Sequence, residues 1–182
     1  EAVRRWALGR GLQVQGYEAD LGALSVDWLL SIANLNVIPM AILAKAQLAI
    51  NFHDGPLPRY AGLNAPAWAI MNNESLHGST WHLIEGGIDE GDILEQRIFE
   101  IDPSEAALSL NTRCMEAGLA SFPALLTQLE TGVLKRIPQD LKQRSVFYRA
   151  DRPRDFGHID FRQPAEAVAR FIRALDFGRY WN

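Results

Sequence analysis

The chain has 182 residues, 48% of them hydrophobic and 22% charged, with a formal net charge of −4. That supplies one sizeable core, so one domain, or one domain with part of a neighbour, is expected, and the acidic balance excludes a basic field for general nucleic-acid binding. The single Cys114 excludes an internal disulfide framework and fits a reducing, cytoplasmic setting, and no apolar run reaches the roughly 18–20 residues that span a bilayer.

In chain order, residues 1–11 read as a helix stopped by Gly11, and residues 12–17 (LQVQGY) as a short strand. Residues 26–35 form a nearly continuous apolar run, as expected of a strand buried on both faces of a parallel sheet. A short helix with Pro39 near its start follows, and then a second buried strand over 48–52. Residues 64–73 read as a helix ending at asparagines, and 78–84 and 91–101 as strands. The longest helix is expected to begin near Asp102, with Pro103 in its first turn and Glu105 completing a capping box. Its apolar face runs Leu108, Met115, Leu119, Phe122, Leu126 and Leu129, with a kink at Pro123 and a stop at Gly132. Residues 149–157 are a charged loop, and 164–178 a final amphipathic helix. Strands alternating with helices imply an α/β layer fold: Rossmann-like, doubly wound, with a mostly parallel sheet and its first strand missing from a fragment of a longer chain. Residues 133–182 form the C-terminal loop and closing helix of what reads as a single domain over 1–182.

In such sheets ligands bind at the carboxyl ends of the strands, and AINFHDGPLPRYAG (residues 49–62, with Leu48 before it) reaches such an end. Asn51 and His53, two apart on a strand, point to one face. An amide there can donate to an oxyanion and a histidine can move a proton. Taken alone, the pair is slightly better read as a hydrogen-bonded amide and a satisfied histidine. A second cluster, EGGIDEGDIL (85–94), sets Asp89, Glu90 and Asp92 beside two glycines, and alone it describes a solvated acidic turn. A carboxylate brought from it to His53 would orient the ring. His77 and His82 flank a strand without HExxH, paired CxxC or compact ligand spacing, so no metal is expected. There is no GxGxxG after a strand, no Walker loop and no GxSxG. Cys114 reads as a helix side chain, His158 as exposed, and Trp68 and Trp81 as packing residues.

Together the two clusters resemble the folate-dependent formyltransferases, which carry an Asn-x-His element before a Pro/Gly loop and later an Asp-x-Gly turn. Here these are NFHDGPLPRYAG and GIDEGDIL, with Asn51 and Asp89 38 residues apart. SIANLNVIP resembles the strand and loop that cradle the folate, and HIDFRQPAEAVARFIRAL the closing helix of methionyl-tRNA and sugar-nucleotide formyltransferase catalytic domains. The resemblance covers residues 26–182. One departure stands out: the family reads His-Pro-Ser-Leu-Leu-Pro where this chain reads His53-Asp54-Gly55-Pro56-Leu57-Pro58. HDGPLPRYAG and RALDFG look more like the formylation domains of nonribosomal peptide and polyketide assembly enzymes.

The resemblance implies transfer of a formyl group from N10-formyltetrahydrofolate to a primary amine through a tetrahedral intermediate. It assigns Asn51 as oxyanion donor, His53 as proton shuttle and Asp89 as the residue that orients His53. Backbone groups near Leu35, Asn36, Val37, Ile38, Gly87 and Ile88 would hold the pterin. The acceptor stays open among a sugar-nucleotide amine, an aminoacyl group on tRNA or a carrier, and a free amine, with further domains expected in the full chain and no membrane partner. A formyltetrahydrofolate hydrolase on the same scaffold, and a folate- or nucleotide-binding module without catalysis, are the alternatives.

Overall fold

The computed structural model describes residues 2–16 and 24–179. Its helices are α1 (Ala2–Leu8), α2 (Met40–Leu43), α3 (Ala65–Met71), α4 (Ala107–Thr131) and α5 (Ala165–Ala174). Its strands are β1 (Val26–Ser31), β2 (Ala46–His53), β3 (Ala61–Gly62), β4 (Leu76–Leu83), β5 (Ile93–Glu100) and β6 (Val146–Phe147). The main sheet has the order β1-β2-β4-β5, and β3 and β6 form a small parallel pair beside it.

The sheet is mixed. β1 and β2 run parallel, joined through α2, whereas β2–β4 and β4–β5 are antiparallel. The mostly parallel expectation therefore holds only for the β1–β2 half of the described sheet. For β4–β5 the reason is connection length: the turn over 84–92 is too short for the crossover a parallel pair needs, so β5 folds back on β4 as a hairpin.

One face of the sheet is covered by α4. Ile50, Phe52, Trp81, Leu83 and Leu94 pack there against Leu125 and Leu129. The contact is close at Gly118, where an added Cβ would lie 2.2 Å from a Phe52 ring carbon, and the Gly118 carbonyl accepts from Trp81 Nε1 at 3.2 Å. A second cluster joins α3, α4 and α5 through Tyr60, Ala65, Ala69, Ile70, Leu110 and Ala174.

Several expectations shift. Residues 12–16 form no strand, and Tyr17 lies outside the described residues. β1 ends at Ser31 and is an edge strand in the described sheet, with Trp28 and Leu30 more than a third exposed instead of buried on both faces. α4 begins at Ala107, not near Asp102. The Asp102 carboxylate instead accepts from Ser104 N at 2.8 Å in a local turn, and Ser109 Oγ accepts from Ala106 N at 3.0 Å. The buried stripe of α4 is also rotated, to Ala107, Leu110, Cys114, Gly118, Ser121, Leu125 and Leu129, leaving Leu119 73% exposed. Small residues in that stripe let the helix approach the sheet, a gain that a pattern read from large side chains misses. The helix continues through Pro123, which lies on its exposed side.

Candidate active site

Strand alternation aims the site. On β2, Leu48, Ile50 and Phe52 turn toward α4, so Asn51 and His53 take the opposite face. Register then adds neighbours. Asn51 sits between Ser31 of β1 and His82 of β4, and His53 stands opposite Thr80. Directly opposed residues of an antiparallel pair share a face, so His82 joins Asn51 although the two are 31 residues apart. The turn between β4 and β5 brings Asp89 onto the same spot.

His53 is 5% exposed, and its Nε2 lies 2.7 Å from the Tyr60 carbonyl oxygen, so that nitrogen donates its proton there. Its Nδ1 faces Asp89 Oδ2 at 3.6 Å and Asp54 Oδ1 at 4.0 Å, within ion-pair reach but too long for direct hydrogen bonds. The other Asp89 oxygen lies 3.4 Å from His82 Nε2, while Oδ2 accepts from Gly62 N at 2.8 Å. His82 Nδ1 donates to the Leu83 carbonyl at 2.9 Å. Its Nε2 is thereby aimed at Asp89 and at Asn51 Nδ2, 3.2 Å away. Asn51, His53 and Asp89 are thus brought together, with His82 Nε2 between the amide and the carboxylate: it accepts from Asn51 Nδ2 when the ring is neutral and faces Asp89 as a donor only when the ring is protonated. His82 is the residue the sequence reading missed. The signal was its place opposite Asn51, which only the strand register reveals.

Burial pushes the Asp89 carboxyl upward, but the His82 ring 3.4 Å away, the neighbouring His53 and the Gly62 N–H outweigh it and hold the group down at about 2. Burial lowers His77 to about 4 against the pull of the Asp54 carbonyl, and raises the Tyr60 phenol to about 12. Burial also pushes the Cys114 thiol up, which fits a helix side chain and not a nucleophile.

The loop after His53 is fastened from three sides. Thr80 Oγ1 donates to Gly55 O at 2.7 Å and accepts from Gln96 Nε2 at 2.9 Å. The Asp54 carbonyl accepts from His77 Nε2 at 2.9 Å, and its carboxylate from Asn111 Nδ2 of α4 at 2.7 Å. Gly55 is a close approach: a Cβ there would lie 2.7 Å from His53 Nε2 and 2.9 Å from Tyr60 O. Asp54, the residue that departs from the family pattern, is a fixed member of the site's wall.

The loop over 32–39 leaves β1 immediately after Ser31, beside Asn51. It carries Leu35 (69% exposed) and Val37 (83% exposed), with Asn36 N and O both bonded to the Asn34 side chain and Ile38 half-buried. Gly87 N donates to Glu90 Oε2 at 3.0 Å, and Ile88 O accepts from Arg144 Nη2 at 2.6 Å, so these two groups are engaged within the protein. Among the described residues no group of three or more His, Cys, Asp and Glu is placed to hold a metal ion, and no helix is long and apolar enough to cross a membrane.

A family model described as formyl transferase matches residues 9–126. The chain belongs to the formyl transferase family. Among its curated relatives, the methionyl-tRNA formyltransferase of Synechococcus sp. (strain JA-3-3Ab) is 34% identical over 93% of this chain and 52% of its own length. That of Caldanaerobacter subterraneus subsp. tengcongensis is 30% identical over 95% of this chain and 59% of its own. The chain thus spans about half the length of the curated relatives it matches. Among solved structures, WlaRD, a sugar 3N-formyl transferase determined with dTDP and 5-N-formyl-THF, superposes with a TM-score of 0.81 at 25% identity, covering 94% of this chain and 62% of that one. An N-formyltransferase from Helicobacter canadensis, in complex with folinic acid and dTDP-3-aminofucose, gives 0.74 at 25% identity, covering 93% and 62%. These formyltransferase neighbours share the Rossmann-like fold expected from the sequence.

Proposed function

We propose that this chain is the catalytic domain of a folate-dependent formyltransferase that moves the formyl group of N10-formyltetrahydrofolate to a primary amine. The observation that carries this reading is the convergence of Asn51, His53 and Asp89 at the carboxyl end of β2, in a chain of the formyl transferase family. Support for the donor comes from relatives solved with 5-N-formyl-THF and folinic acid, and from the exposed Leu35 and Val37 in the loop that follows Ser31, the residue paired with Asn51, an apolar edge suited to a flat heterocycle. Leu35, Asn36, Val37, Ile38, Gly87 and Ile88 would border it.

The donor supplies an electrophilic formyl carbon, which the amine attacks; the new C–N bond forms and the bond to folate N10 breaks. Asn51, its amide steadied by His82, donates to the oxygen as it gains charge, a contribution on the order of 2.7–4 kcal/mol when the donor is fixed in advance. His53 carries the proton from the attacking amine toward the departing nitrogen. Asp89, ionised throughout the neutral range, orients His53 from the Nδ1 side and balances the charge it takes on. Relatives whose names specify methionyl-tRNA or an amino sugar nucleotide support an amine acceptor of one of these classes. An aminoacyl group on a carrier belongs to the same chemistry, and all three imply a cytoplasmic protein with no membrane partner.

The test is to mix the protein with N10-formyltetrahydrofolate and a panel holding an amino sugar nucleotide, an aminoacyl-tRNA and an aminoacyl carrier, and to follow both products. Formylated amine with stoichiometric tetrahydrofolate is expected. Formate without formylated amine would make the protein a hydrolase, and binding of the donor with neither product would make it a non-catalytic module.

A further inference from the structure

The turn that carries Asp89 is closed by Leu83 N on the Asp92 carbonyl and by Gly87 N on the Glu90 side chain, and its central carbonyls are held from elsewhere in the chain. Asp89 has φ +53, the left-handed region, which costs a non-glycine residue on the order of 1–3 kcal/mol and persists only where its surroundings over-determine it. Its side chain is held by the Gly62 N–H, and its backbone by one distant segment, residues 136–147, which lies beyond the span 9–126 that matches the family model. Gln139 Nε2 donates to the carbonyls of both Asp89 (2.9 Å) and Gly91 (2.6 Å), fixing the peptide planes on either side of the turn's centre. Arg144 Nη2 donates to the Ile88 carbonyl at 2.6 Å and faces Glu90 Oε1 at 3.6 Å. Arg136 grips the two ends of the turn through Asp92 (2.8 Å) and Glu85 (2.7 Å).

The same segment also holds the other half of the site. Ser145 Oγ accepts from Tyr60 N at 2.8 Å, Ser145 O accepts from Ala61 N at 2.9 Å, and β6 pairs with β3. Tyr60 supplies the carbonyl that receives His53 Nε2, and Gly62 the N–H that receives Asp89. A single stretch of chain therefore sets the distance between the loop that holds His53 and the turn that carries Asp89. A brace with a purely general stabilising role has no reason to direct three hydrogen bonds from two side chains onto the carbonyls of Ile88, Asp89 and Gly91, around one carboxylate.

We propose that residues 136–147 form a strap across the site and that Gln139, with Arg144 beside it, is a positioning residue for formyl transfer, setting the backbone that aims Asp89 at His53 and His82. This rests on the reading of Asp89 as part of the transfer machinery, so its test carries a readout that does not need turnover.

Gln139→Met keeps the side chain's length and removes both donors. The 13C signal of the Asp89 carboxyl is titrated in wild type and variant, and formyl transfer is measured in parallel. The Asp89 midpoint, about 2 in the intact site, is expected to rise by about one pH unit as the carboxylate drifts from its partners. Turnover falls about 10- to 100-fold, with KM for the donor changed less than about threefold. Arg144→Lys, which keeps a donor for Ile88, recovers most of what Arg144→Ala loses. If Gln139→Met does not fold, the Arg144 pair carries the same two readouts. An unmoved Asp89 midpoint with turnover near that of wild type overturns the proposal, whatever happens to the melting temperature. A raised midpoint in a protein that transfers no formyl group even as wild type upholds the strap and fells the transferase reading instead.

Discussion

Gly55→Ser restores the residue that the wider family carries after His-Pro, and should damage this enzyme. A Cβ at position 55 would stand 2.7 Å from His53 Nε2 and 2.9 Å from Tyr60 O, where ordinary contacts begin near 3.4 Å. Relief therefore needs a shift of about 0.7 Å at the imidazole or about 0.5 Å at the carbonyl, and a hydroxyl adds to the crowding. Neither side yields cheaply. Tyr60 is pinned by Ser145 and, through its phenol, by Glu74 at 2.7 Å, and His53 is backed by Asp89. Breaking the buried 2.7 Å bond between His53 and Tyr60 costs about 1–1.5 kcal/mol. A displacement approaching 1 Å at a reacting group costs up to about 100-fold in rate. Steady-state formyl transfer should show kcat down about 10- to 100-fold, with donor KM little changed and the melting temperature lowered by a few degrees. A Gly55→Ser enzyme with wild-type kcat would refute the claim that the Gly55 approach sets His53.

His82→Phe keeps a planar aromatic ring, somewhat larger than the imidazole, but frees both the Asn51 amide and Asp89. Turnover should fall about 10- to 100-fold, and the Asp89 carboxyl should titrate above its present value of about 2, checked by kinetics and carboxyl NMR; unchanged values in both would remove His82 from the site. His77 is buried with a depressed value of about 4 against an ordinary 6.5. Between those pH values the unfolded chain binds a proton that the folded chain refuses, so stability falls as pH drops from 6.5 to 4, by about 3 kcal/mol from this group. Urea melts of wild type and His77→Gln should therefore converge as the pH falls, and a constant gap between them would contradict the burial argument. Gly118→Ala places a Cβ 2.2 Å from the Phe52 ring. It should destabilise by about 1–3 kcal/mol in chemical denaturation, with Phe52→Leu recovering part of the loss in the double variant.

Much of this was legible in the residues. The apolar stretches around Ile50, Trp81 and Leu94 marked strands, and Gly132 marked the end of α4, because local periodicity and cap chemistry decide those features. The pairing of Asn51 and His53 with Asp89 came from the resemblance of NFHDGPLPRYAG and GIDEGDIL to the formyltransferases. What stayed hidden depends on register and contact. His82 needed the knowledge that it faces Asn51 across an antiparallel pair. The antiparallel β4–β5 pair followed from a connection too short for a crossover. The true face of α4 rested on Gly118 and Ser121, whose value is close approach and not hydrophobicity. Gln139 and Arg144 act through backbone carbonyls, and no pattern of side chains in the sequence marks which carbonyls need a donor.

The proposed transfer turns on Asn51 as the donor that meets charge developing on the formyl oxygen. Single-turnover formyl transfer by Asn51→Ala, with donor affinity measured on the same protein, tests it most directly. A loss of about 100- to 1000-fold in the transfer rate, with donor binding within about threefold of wild type, is the expected result. Transfer at the wild-type rate would contradict the mechanism.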